Sequence, residues 1–216
     1  YELLEATGDR ALSDAARLLK ARGQAMQRAV PVGIGAMAAL LGAEIAQAEA
    51  LCKEASSATE IAAVANDNAP GQVVISGHKA AIERAAELVK AHGIKRAMML
   101  PVSAPFHSPL MAPAAREMED NLARATIAVP SLPVISNVSV MPVIEPDEIR
   151  RLLVEQVTGR VRWRETIEKM PSLGVTKVVE AGAGKVLTGM AKPITKDVEP
   201  LSLETPDEIE AFLKSV

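Results

Sequence analysis

The sequence predicts an α/β fold, and three observations carry that expectation. Apolar residues make up 49% of the 216 positions, yet they include only one Trp, one Tyr and two Phe, so the core must be aliphatic. Short apolar runs alternate with stretches of helical periodicity, the pattern of strands interleaved with helices. Gly and Pro punctuate nearly every boundary between them. Short apolar strands between helices imply a parallel sheet covered on both faces.

Along the chain, 12–30 reads as a helix capped by Ser13 and stopped by Pro31. Its apolar stripe is Leu12, Ala15, Leu19, Arg22, Met26 and Ala29, which puts a guanidinium in the middle of a buried face. Strands are predicted at 35–42, 61–66, 73–77 and 97–103, helices at 43–56 and 78–93, and a turn at 67–72. The order β-α-β-β-α-β is that of a ferredoxin-like split βαβ unit, assigned to 34–103 as a small subdomain within a larger one of 1–33 and 104–216. Beyond it, Ser108 and Pro109 open a helix to about residue 125. A strand at 133–137, helices at 146–157 and 162–170, a strand at 176–182, a helix at 185–191, a strand at 200–203 and a final helix from 206 complete the pattern.

Several function classes drop out. A net charge of -3 and the near absence of aromatic stacking residues exclude a nucleic-acid partner. No run of about 18 uncharged apolar residues and no signal-peptide pattern occur, so a membrane is excluded. A lone Cys52 fits a reducing compartment, the cytoplasm. No metal set is expected. The chain opens at Tyr1 without Met and runs into Leu3 and Leu4, which reads as the interior of a longer polypeptide.

Two residues stand out chemically. Arg22 on an apolar stripe needs an acceptor of matching geometry, either an internal carboxylate or the carboxylate of a substrate. His107, set between Pro105 and Ser108-Pro109, is a candidate general base held near a helix N-terminus that disfavours its charged form. His78 and His92 at helix ends read as structural. The glycine-rich stretches 180–189 and 32–37 fail the phosphate-loop and dinucleotide spacings. No G-x-S-x-G nucleophile elbow occurs.

Five blocks in one order, RGQAMQRAVPVGIGAMAALLG, VANDNAPGQVVISG, VSAPFHSPLM, LVEQVTGRVRW and VVEAGAGKVLTGM, resemble the malonyl-CoA:acyl carrier protein transacylases of fatty acid synthesis. The resemblance implies an α/β-hydrolase-like core with an inserted ferredoxin-like subdomain. It implies ping-pong transfer through a serine ester, with His107 as base and Arg22 pairing with the malonyl carboxylate. Malonyl-CoA is then a substrate, the acyl carrier protein with its phosphopantetheine arm is a partner, and no cofactor is implied. Gln156 is expected to orient the histidine through its backbone carbonyl, Met26 to wall the pocket, and Phe106 to exclude an α-methyl branch. Asn66, Asn68, Lys95 and Arg96 match positions facing the coenzyme A or carrier-protein entrance. The elbow serine and oxyanion hole have no match, so the core is expected to be incomplete at its N-terminus. The chain is accordingly expected to be inactive unless a separate N-terminal segment complements it. A polyketide-synthase acyltransferase domain and a non-catalytic module binding carrier protein or coenzyme A remain as alternatives.

Overall fold

A computed structural model describes residues 9–215, with side chains from Ser13 onward. The pattern at Leu3 and Leu4, the side chain of Leu12 and residue 216 lie outside the described residues.

Helix α1 spans Asp9–Ala29, so Ser13 lies inside it and is not its cap. The apolar stripe is also rotated from the expected one. Ala15, Leu18, Ala25 and Met26 are buried while Leu19 is 46% exposed. Leu18, four residues before Arg22, and Met26, four after, hold the inner face, and Arg22 sits half-buried between them.

Strand β1 (Gly35–Leu41), helix α2 (Ile45–Ala55), strands β2 (Ala62–Ala69) and β3 (Gln72–His78), helix α3 (Lys79–Leu88) and strand β4 (Arg96–Met99) follow. They build a four-stranded sheet of order β2-β3-β1-β4 in which every neighbouring pair is antiparallel. Side-chain alternation gives this sheet two distinct faces. Ala38, Leu40, Val73 and Ile75 point into a core closed by Leu51, Cys52, Ala81 and Ile82 of the two helices. Met37, Ala65 and Val74 point the other way and meet Leu100 and Phe106. The expected turn at 67–72 shrinks to Pro70 and Gly71, because β2 continues through Asp67 and Asn68 with two register shifts. The expected strand at 97–103 ends at Met99, and α3 gives way at Val89 to successive tight turns ending at Gly93, φ 70°.

After His107 the chain makes a 3₁₀ turn, Pro109–Met111, before helix α4 (Ala112–Ala123). Ser108 does not cap through its side chain; its hydroxyl donates to the Pro105 carbonyl at 2.7 Å. Helix α5 (Pro146–Thr158) packs on α4, and Arg150 of α5 donates to the Leu122 and Ala125 carbonyls at the C-terminal end of α4. Helix α6 (Trp163–Lys169) follows.

The expected parallel core is much reduced. Residues 133–137 yield only the two-residue strand β5 (Val134–Ile135), which pairs antiparallel with β6 (Pro142–Val143). Pro133 and Pro142 supply no amide donors there, which keeps the ladder short. Besides an isolated parallel bridge between Asn66 and Val161, the parallel strand pair among the described residues joins β7 (Lys177–Ala181) to β8 (Glu199–Leu203), with α7 (Val186–Ala191) between them and α8 (Pro206–Leu213) after. The result is a mixed α/β fold, and no helix among the described residues is long and apolar enough to cross a membrane.

Candidate active site

A cavity of about 490 Å³ lies over the second face of the four-stranded sheet. Met37, Val74 and Leu100 form its floor, α1 supplies Arg22 and Met26, β2 supplies Asn66 and Asn68, and the segment after β4 supplies Phe106 and His107. Six residues expected at the site thus meet in one place. The close approach of β1 to the histidine segment depends on Gly35, where a Cβ would run into the ring of Pro105.

His107 adopts a left-handed backbone conformation, φ 54°. Few residues other than glycine do so, and such outliers concentrate at functional positions. Its Nδ1 lies 3.0 Å from the Gln156 carbonyl oxygen and 3.1 Å from that of Gly159. Carbonyls only accept, so Nδ1 carries the proton and Nε2 is left with its lone pair, the form a general base needs. Burial holds the imidazole pKa below its usual 6.5, and the nearby Arg22 charge pushes the same way against the two carbonyls. The helix N-terminus invoked from sequence is not among these causes.

Met26 is buried at 3% exposure and walls the cavity. Among the described residues no carboxylate pairs with the Arg22 guanidinium, which leaves it available to an incoming anion. The Gln156 backbone carbonyl accepts from His107 Nδ1, while its side chain donates to the Gly159 carbonyl at 3.1 Å and lines a second cavity of about 340 Å³ that Arg22 shares. Lys95 and Arg96 are not brought to the site. Lys95 lies over Gly42 and Arg96 pairs opposite Leu41, about 13 Å along the strand from Leu100.

The structural histidines behave as read. His78 Nδ1 accepts the Ile61 amide at 2.9 Å, and His92 Nε2 meets Glu54 at 2.8 Å. The phosphate-loop reading of 180–189 fails for a second reason, since the Glu180 carboxylate already accepts the Leu187 and Thr188 amides at 3.1 and 2.7 Å. No group of three or more His, Cys, Asp or Glu able to hold a metal occurs among the described residues. Sequence reasoning missed the Gly159 carbonyl and the buried pair of Asp67 with Arg164. A backbone acceptor has no side-chain signal, and the pair is separated by 97 residues.

Comparison with known proteins places this geometry in context. Residues 3–205 match the acyl transferase domain family. The malonyl CoA-acyl carrier protein transacylase of Escherichia coli (strain K12) is 44% identical over 214 residues, which span 99% of this chain and 69% of that protein. The crystal structure of the acyl-carrier-protein-S-malonyltransferase from Bartonella henselae is 51% identical with a TM-score of 0.90, covering 94% of this chain and 65% of that one. A further solved structure holds a type II PKS acyl-carrier protein in complex with its malonyl-transacylase. It is 39% identical with a TM-score of 0.88, covering 93% of this chain and 64% of that one.

Proposed function

We propose a reaction for this chain on one premise: it belongs to the acyl transferase domain family and, within it, to the malonyl CoA-acyl carrier protein transacylases. The reaction is transfer of a malonyl group from coenzyme A to the phosphopantetheine thiol of an acyl carrier protein, in fatty acid synthesis. The observation that carries the reading is the His107 ring, fixed at Nδ1 by two carbonyls beside a cavity that Arg22 also lines.

His107 takes the hydroxyl proton of a serine as that oxygen bonds to the thioester carbonyl carbon. The adduct collapses, the carbon–sulfur bond breaks, and the imidazolium returns the proton to the departing coenzyme A sulfur. In the second half the carrier-protein thiol gives its proton to His107 and attacks the serine ester, and the serine oxygen leaves with that proton. Arg22 receives the malonyl carboxylate through its planar fork, which favours malonyl over neutral acyl groups. Phe106 and Met26 bound the space beside the α-carbon, and Asn66 and Asn68 offer polar groups along the coenzyme A arm. No cofactor is called for.

The 216 residues hold no G-x-S-x-G run. On this reading the serine comes from a further polypeptide segment, the 216 residues alone do not complete transfer, and the reaction runs in the cytoplasm. The finer fold assignment belongs to the same reading: 34–103 is a ferredoxin-like subdomain set into an α/β-hydrolase-like unit of 1–33 and 104–216. His107→Ala in the complemented enzyme should lower malonyl transfer by about 10²-fold or more. Full transfer by that variant would overturn the base assignment, and transfer by an unaccompanied 22.8 kDa species would overturn the external serine.

A further inference from the structure

Asp67 lies in β2 between the two asparagines of the cavity, and strand alternation turns it to the opposite side. It is 1% exposed. Its carboxylate takes Arg164 Nε at 3.0 and 3.1 Å and Nη2 at 2.8 Å, a fork in fixed orientation. Two backbone bonds run beside the fork. The Asp67 amide donates to the Val161 carbonyl at 2.9 Å, and the Val161 amide donates to the Ala65 carbonyl at 2.8 Å. Segment 159–164 is therefore tied to β2 at its far end. At its near end the Gly159 carbonyl accepts from His107 Nδ1 at 3.1 Å and from Gln156 Nε2 at 3.1 Å.

We infer that Asp67 and Arg164 are positioning residues for acyl transfer, their fork holding Asn66 and Asn68 at a fixed distance from the His107 ring through segment 159–164. A buried ion pair adds little net stability over apolar residues of similar volume, whereas a planar fork of three hydrogen bonds fixes both distance and angle. That constraint is useful where one strand presents polar groups to the ligand and the tethered segment presents the base. The inference rests on the proposed role of His107.

The test compares the parent chain with the double variant Asp67→Asn, Arg164→Met, which removes the fork without leaving a lone buried charge. In ¹⁵N-edited NMR the His107 Nδ1 proton is identifiable, because His78 Nδ1 is an acceptor and the His92 contact is made through Nε2. The parent should show a slowly exchanging Nδ1 proton, and the double variant should exchange it about 10-fold faster. In the complemented enzyme the same variant should raise KM for malonyl-CoA several-fold and lower kcat/KM by about 10- to 100-fold. A loss of folded molecules alone would lower kcat at constant KM.

Unchanged exchange and unchanged KM in a folded double variant would overturn the positioning role. Should the double variant fail to fold, Arg164→Lys makes the same comparison, since it keeps the charge paired and loses only the fork. The exchange measurement needs no turnover. A His107→Ala enzyme with full transfer would therefore overturn the base while exchange still decides the tether.

Discussion

Between Ala38 and Ile94 a single cluster of buried side chains fills the space between the four-stranded sheet and its two helices, with Leu40, Leu51, Ile75 and Ile82 fully enclosed. From Lys177 onward the strands pair only in twos, and Val179 and Leu187 remain 39% and 41% exposed. Both regions alternate strand and helix. They differ in how many partners each strand has. In the first unit β1 and β3 each pair on both sides and two helices close the core over them, whereas β7 and β8 each have a single partner strand among the described residues. The cavity lies on the other face of the first unit's sheet, lined by that sheet, by α1 and by residues 100–107.

Cys52 gives the sharpest test of that contrast. Burial, with Glu49 adding repulsion, pushes its thiol up to about 12. Labelling by a disulfide reagent at pH 8 should therefore run about 10³-fold slower than at an exposed thiol. Fast labelling of native protein would break the picture of a closed first unit. Next, Ile75→Ala should cost about 2–5 kcal/mol in denaturant unfolding, because the emptied space is walled by rigid sheet and helix.

The cavity itself responds to pH. The pKa of His107 is lowered, so the neutral base persists below pH 6.5 and malonyl transfer should decline only beneath that value. The sign for stability is the same: the unfolded chain binds the proton more readily, so this group's contribution is present above pH 6.5 and lost as pH falls through the folded value. An acid limb centred above 6.5 in kcat/KM would contradict the buried setting. The smallest effect is expected in the second region, where Val179→Ala should change stability by no more than about 0.5 kcal/mol.

These differences explain what the sequence made legible. The helices and the β-α-β-β-α-β order could be read because their apolar periodicity is local. The error of one residue on α1, Leu19 for Leu18, arose because both leucines fit a helical stripe and only packing chooses between them. The parallel sheet was over-read from 133–137, where prolines limit the ladder to two residues. At the site, His107 was legible from its flanking prolines and Arg22 from its misfit on an apolar face. The placement of Lys95 and Arg96 was not, since strand length decides how far a surface cation lies from a cavity. The Gly159 carbonyl and the Asp67–Arg164 fork depend on tertiary contacts across 52 and 97 residues.

Among the described residues no carboxylate pairs with the Arg22 guanidinium, and we propose that it receives the carboxylate of the acyl group. The direct measurement is calorimetric binding of malonyl-CoA and acetyl-CoA to the complemented protein, with and without Arg22→Ala. Arg22→Ala should weaken malonyl-CoA binding by about 10-fold or more, as expected for a lost charge-assisted pair, and leave acetyl-CoA nearly unchanged. Equal malonyl-CoA affinity in parent and variant would contradict it.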